Sequence, residues 1–64
     1  MSPITGEIIE IYMDTWAVMA KVRIGGAYIH VPLQFLPAAK VGNRILIEGG
    51  VAIAIVQDEP KKEP

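Results

Sequence analysis

The chain has 64 residues, 52% of them hydrophobic and 20% charged, with no cysteine, one histidine and a formal net charge of −1. One small domain is all this length allows, and a chain of about 60 residues buries only about 60% of the surface its unfolded form exposes, so its core must be dense in apolar side chains. Disulfide staples and thiolate metal clusters are excluded, and with His30 alone a zinc site would have to be built almost wholly from carboxylates.

Ten Ile, six Val and two Thr against three Leu favour strands. The first run, Glu7 to Met13, alternates with Ile9, Ile11 and Met13 on one side and Ile8, Glu10 and Tyr12 on the other; Asp14-Thr15 supplies a turn. From Trp16 to Ile24 a period of two places Trp16, Val18, Ala20, Val22 and Ile24 inward and Ala17, Met19, Lys21 and Arg23 outward. Gly25-Gly26 makes a two-residue hairpin connection, because only glycine takes positive φ without cost. The third strand, Ala27 to Leu33, turns Ala27, Ile29, Val31 and Leu33 inward and Tyr28, His30 and Pro32 outward. Pro32 cannot donate to a ladder, so this strand ends or lies at an edge there. Leu33-Gln34-Phe35-Leu36-Pro37 is too short for more than one helical turn, and its apolar residues are expected to plug one end of the structure. After Lys40-Val41-Gly42-Asn43 comes a fourth strand, Arg44 to Glu48, and Gly49-Gly50 turns the chain into Val51 to Val56. That last run is apolar throughout and demands cover on both faces, from a closed barrel or a second subunit. Gln57 to Pro64, QDEPKKEP, holds five charges, two prolines and no apolar residue, and reads as a mobile tail.

The expected architecture is all-β: a small five-stranded OB-like or SH3-like β-barrel over residues 1–56, followed by a short disordered charged tail, 57–64. In residues 1–56, Lys21, Arg23, Lys40 and Arg44 balance Glu7, Glu10, Asp14 and Glu48, so no basic footprint for nucleic acid exists. No apolar run is long enough to span a membrane, and no basic and then apolar leader opens the chain, which suits a soluble cytoplasmic protein. Catalysis lacks tools: no nucleophile–base pair is identifiable, and Glu7 and Glu10, three apart on a strand, face opposite ways. Catalytic residues, metal ligands and cofactors are therefore all expected to be absent. His30 reads as an ordinary exposed strand residue, and Trp16 and Tyr28 as packing groups in a core or interface. Met13 and Met19 read as fillers, with Arg23 and Arg44 pairing to Glu10 or Glu48 across strands.

Four segments in order carry a resemblance: Thr5-Gly6-Glu7-Ile8-Ile9-Glu10-Ile11, Ala20 to Gly26, Val31 to Pro37, and Val41-Gly42-Asn43-Arg44-Ile45-Leu46-Ile47-Glu48-Gly49-Gly50-Val51-Ala52-Ile53. Together they resemble the HypC/HupF family of nickel–iron hydrogenase maturation chaperones over residues 2–56. Gly25, Gly26, Pro37, Gly42, Glu48 and Gly50 are the positions that match or answer to the family signature. The resemblance implies an accessory protein that contacts a hydrogenase large-subunit precursor or a HypD-like maturation protein. Its amino-terminal segment Ser2, Pro3, Ile4, Thr5 and Gly6 would form the partner-binding edge. It also exposes departures. Ser2 stands where the family has the cysteine that helps hold iron with its cyanide and carbonyl ligands, Glu48 stands where the family has histidine, and QDEPKKEP replaces a carboxy-terminal helix. A hydroxyl stays protonated near neutral pH and is a poor ligand for soft iron, so thiol-based iron carriage is not expected. The alternative is a self-assembling barrel, a homo-oligomer, or a small-ligand module similar in outline to Mop/TOBE domains.

Overall fold

A computed structural model describes residues 2–56 as five strands: β1 (Ile4–Asp14), β2 (Ala17–Ile24), β3 (Ala27–Pro32), β4 (Arg44–Glu48) and β5 (Val51–Val56). All pairings are antiparallel, in the order β3-β2-β1-β4-β5. The outer strands β3 and β5 approach each other but share no ladder, so the sheet curls into a partly open barrel. This is the all-β, barrel-like architecture that the β-branched composition and glycine turns call for. The expected tail, 57–64, lies outside the described residues.

The core is wholly apolar. Ile8, Ala20, Val22, Val31, Leu33, Ile45, Ile47 and Ala52 are buried, with Ile11, Ile24, Ile29, Leu36, Ala39 and Ile55 packed around them. No polar or charged side chain among the described residues is buried. Each fully buried branched side chain contributes about 1.5–3 kcal/mol relative to exposure, so these few residues hold most of the fold's driving force.

The centre of the sheet is β1, which pairs with β4 over Ile4–Glu7 and with β2 over Glu7–Asp14. Its ladder to β2 shifts between Ile8 and Glu10, a bulge that puts one extra residue, Ile9, into β1. Ile8 opposite Val22 and Ile11 opposite Ala20 therefore both face the core, although strict alternation from Glu7 to Met13 sets them on different sides. A second shift, between Leu46 and Ile47, leaves Ile53 without a partner on β4.

The turns follow glycine chemistry. Gly49 and Gly50 both have positive φ (64° and 82°), the pattern of a type I′ hairpin, whereas in the Gly25-Gly26 turn only Gly25 is positive, at 60°. The β1–β2 turn has no glycine, and Thr15 takes φ 50° instead. For a β-branched residue that is a strained conformation.

Several expectations are corrected. Strand β1 begins at Ile4 rather than Glu7, because β4 extends the pairing toward the amino terminus. Trp16, expected inward, is 92% exposed: it occupies the β1–β2 turn, and β2 starts only at Ala17. Met13 is no core filler but 67% exposed, since it lies near the hairpin tip beyond the core. Strand β3 stops at Pro32. Leu33, Leu36 and Ala39 do close one end through successive turns, with Leu36 N–H donating to Leu33 O at 2.9 Å and Ala39 N–H to Leu36 O at 3.1 Å. Phe35 does not join the plug; these turns leave it 61% exposed. Val51–Val56 is not covered on both faces either, being an edge strand on which Ile53 is 41% exposed.

Replacing Thr15 with Gly removes the strained φ, so Thr15→Gly should raise stability by about 0.5–1 kcal/mol. A urea midpoint unchanged or lowered relative to the parent would refute the strain assigned to that turn.

Candidate protein-binding site

The amino-terminal segment proposed from sequence divides in two. Ser2 and Pro3 are exposed and precede the strand, while Ile4, Thr5 and Gly6 pair with Ile47, Leu46 and Ile45 of β4. The ladder to β2 starts only at Glu7, so the edge of Ile4 and Thr5 that faces away from β4 lies outside it. Glu48, one residue past Ile47, ends β4 beside the segment that leads into Ile4. The structure thus brings to one end of two neighbouring strands the two positions, Ser2 and Glu48, at which the sequence departs from the family pattern.

Gly6 fixes how closely these strands pack. A Cβ there would stand 2.5 Å from Val22 Cγ1, 2.7 Å from Ile24 Cγ1 and 2.9 Å from the Arg23 carbonyl oxygen. The first two are branched side chains held in the core region and the third is backbone, so none can swing clear. Glycine is a steric requirement here rather than a turn signal.

A cleft of about 740 Å³ opens beside this crossing, with Thr5, Gly6 and Glu7 of β1 on its wall together with Arg23, Arg44 and Asn43. Glu7 is the register partner of Arg23 on β2 and of Arg44 on β4, so three charges form one row across three strands. Arg23 Nη2 donates to Glu7 Oε1 at 2.6 Å. This corrects the expected pairing of Arg23 with Glu10 or Glu48: the bulge after Ile8 sets Glu7 opposite Arg23 and Glu10 opposite Lys21. Both partners are about half exposed, so the pair contributes at most about 0.2–1 kcal/mol. The row thus sets two guanidinium groups on either side of one carboxylate. Asn43 shapes the cleft floor. Its Oδ1 accepts from the Lys40 backbone N–H at 2.8 Å, and its carbonyl accepts from Ile8 N–H at 2.9 Å.

Of the signature positions, Gly25, Gly26, Glu48 and Gly50 lie at hairpin ends, and Pro37 is exposed in the loop after Leu36. Gly42 has φ 98° and its N–H donates to Ile8 O at 2.8 Å, tying the loop back to β1 at the bulge. His30 lies on the outer face, as its alternation indicates, and is hydrogen-bonded: Tyr12 Oη lies 2.7 Å from Nδ1, with the rings edge to face at 5.8 Å. A ring protonated on Nε2 would accept at Nδ1 from the tyrosine hydroxyl. Lys21 Nζ stands 4.9 Å from the Tyr28 ring centre, a cation–π contact that occupies this aromatic face within the molecule. No group of three His, Cys, Asp or Glu among the described residues could hold a metal ion. No helix among them is long and apolar enough to cross a membrane.

The charged row was missed from sequence because its members come from three strands and meet only through register. No local pattern in the sequence marks it.

A family model described as HupF/HypC family matches residues 3–63. The hydrogenase maturation factor HypC of a Synechocystis species is 34% identical over 50 residues, which cover 78% of this chain and 66% of that protein. The chain thus spans just under two thirds of this relative's length. No solved structure matches the chain.

Gly6→Ala should cost about 1–3 kcal/mol by overpacking against Val22, Ile24 and the Arg23 carbonyl. Chemical denaturation checks this, and an unshifted midpoint would show that β1 does not sit as close to β2 as described.

Proposed function

The chain belongs to the HupF/HypC family, and on that premise we propose that it is a non-catalytic accessory protein of nickel–iron hydrogenase maturation. It docks on a large-subunit precursor or a HypD-like maturation protein, in the cytoplasm, without carrying iron through a thiol. The observation that carries this reading is the family match along residues 3–63 in a chain that has no cysteine and places serine at position 2.

Docking would use the segment Ser2–Gly6. Pro3 restricts the backbone just ahead of β1, which lowers the ordering cost on binding. Ile4 and Thr5 offer a backbone edge beyond the end of the β2 ladder, where an extended partner segment can add by main-chain hydrogen bonds. The Arg23–Glu7–Arg44 row flanks that edge.

Iron is cargo in this reading, and the described residues do not suit it. Ser2 offers a hydroxyl and Glu48 a hard carboxylate, both poor partners for soft iron that carries cyanide and carbonyl ligands. The chain's part is thus confined to holding proteins together.

Anaerobic co-purification of the tagged full chain with the large-subunit precursor from the same organism should yield a complex, and the isolated chain should show no infrared bands of metal-bound CO or CN. In the presence of the maturation machinery, Ser2→Cys should gain those bands. Stoichiometric iron on the parent chain would overturn the argument from serine, and failure to recover any hydrogenase or maturation protein would overturn the docking role.

A further inference from the structure

Five of the six glycines answer to the fold. Gly6 is crowded by Val22, Ile24 and the Arg23 carbonyl, while Gly25, Gly42, Gly49 and Gly50 hold positive φ. Gly26 meets neither demand. Its φ is not positive, and a Cβ built on it would meet nothing within 4 Å. A positive φ at Gly25 alone is the pattern of a type II′ turn, in which only the first central position calls for glycine. Glycine at position 26 therefore costs stability without a return in the fold, since it has the most conformational freedom to lose on folding.

The remaining use of glycine is to let another backbone come close. What can come close to Gly26 is set by its place beside the cleft. Continuing the β1–β2 register past the pair Glu7 and Arg23 would bring Thr5 opposite Gly25, but the ladder stops at Glu7, and Thr5 and Gly25 stand on the cleft walls instead. One jaw of this notch is the edge of Ile4 and Thr5 that lies outside the β2 ladder. The other is the β2–β3 hairpin tip, where Gly25 and Gly26 are exposed and carry no side chain. Two jaws of bare backbone suit an extended main chain, which can hydrogen-bond to one and lie flat against the other.

We propose that Gly26 is a contact position of the docking site, free of a side chain so that an extended segment of the partner protein can pass between the β2–β3 tip and the Ile4–Thr5 edge. This rests on the docking role proposed above and adds to it a second wall and a residue that limits what can enter. Position 26 acts by steric clearance rather than by attraction. Its substitution should therefore change binding and leave the barrel alone.

Two measurements on the full chain test this. In urea denaturation, Gly26→Ala and Gly26→Leu should keep the midpoint of the parent or exceed it, whereas Gly25→Ala should fall below it, because alanine takes a φ of 60° only under strain. In a binding titration with the large-subunit precursor or HypD-like maturation protein that the parent recovers anaerobically, Gly26→Ala should bind more weakly than the parent and Gly26→Leu about tenfold more weakly or beyond. Met13→Trp adds bulk at the far end of β2, beside the apolar groove lined by Ile11, Leu33 and Leu36, and should bind as the parent does. A midpoint lowered by Gly26→Ala would show that the fold itself needs glycine there and would overturn the proposal. Undiminished binding of Gly26→Leu would overturn it while leaving the docking role standing, and an equal loss in Met13→Trp would overturn the assignment to the cleft. A parent chain that binds neither protein would bring down the docking role and this assignment with it.

Discussion

β1 has to be shared. One strand of 11 residues pairs with β4 near its start and with β2 for the rest, and a straight, evenly pleated strand cannot serve two directions in so small a barrel. The bulge at Ile9 supplies the bend. Gly6 supplies the clearance, letting the backbone pass where any side chain would strike Val22 and Ile24. Loop residues Gly42 and Asn43 then grip β1 at Ile8 from the far side. With the bend fixed, Ile8, Val22 and Ile45 converge on one core and the charged row of Glu7, Arg23 and Arg44 is thrown to the surface.

This division of labour separates the two ends of the molecule. One end carries the amino-terminal segment, a backbone edge and a polar cleft; the other carries an apolar knob and groove. Family membership bears on the first end, since Ser2 and Glu48 stand there where a thiol and an imidazole would be expected. The second end owes nothing to that resemblance. Its character comes from Trp16, which the β1–β2 turn leaves exposed.

Strands β2 to β5 were legible because their signals are local. Period-two alternation located β2 and β3 to within a residue, Pro32 marked the end of an edge strand, and paired glycines at 25–26 and 49–50 set the turns. The bulge was not legible, because an extra residue in a run of isoleucines and tyrosine leaves no composition cue, and one such residue reverses every face assignment after it. The same shift redirected Arg23 to Glu7. Trp16 was misplaced because the alternation extends through it while the turn, made with threonine instead of glycine, begins one residue later than chemistry favours. Of the candidate site, sequence supplied the segment and its missing thiol; the cleft needed the register of three strands.

A core with no buried polar side chain has a thermal signature of its own. Its side chains resist unfolding chiefly through the hydration of hydrocarbon, and that force fades on chilling while chain entropy opposes it on heating. For the 55 described residues, 2–56, the unfolding heat capacity is about 0.7 kcal/mol/K and the enthalpy near 60 °C about 40 kcal/mol. So small an enthalpy spreads the melt over tens of degrees, and the barrel meets cold as well as heat with a gradual loosening instead of a sharp break.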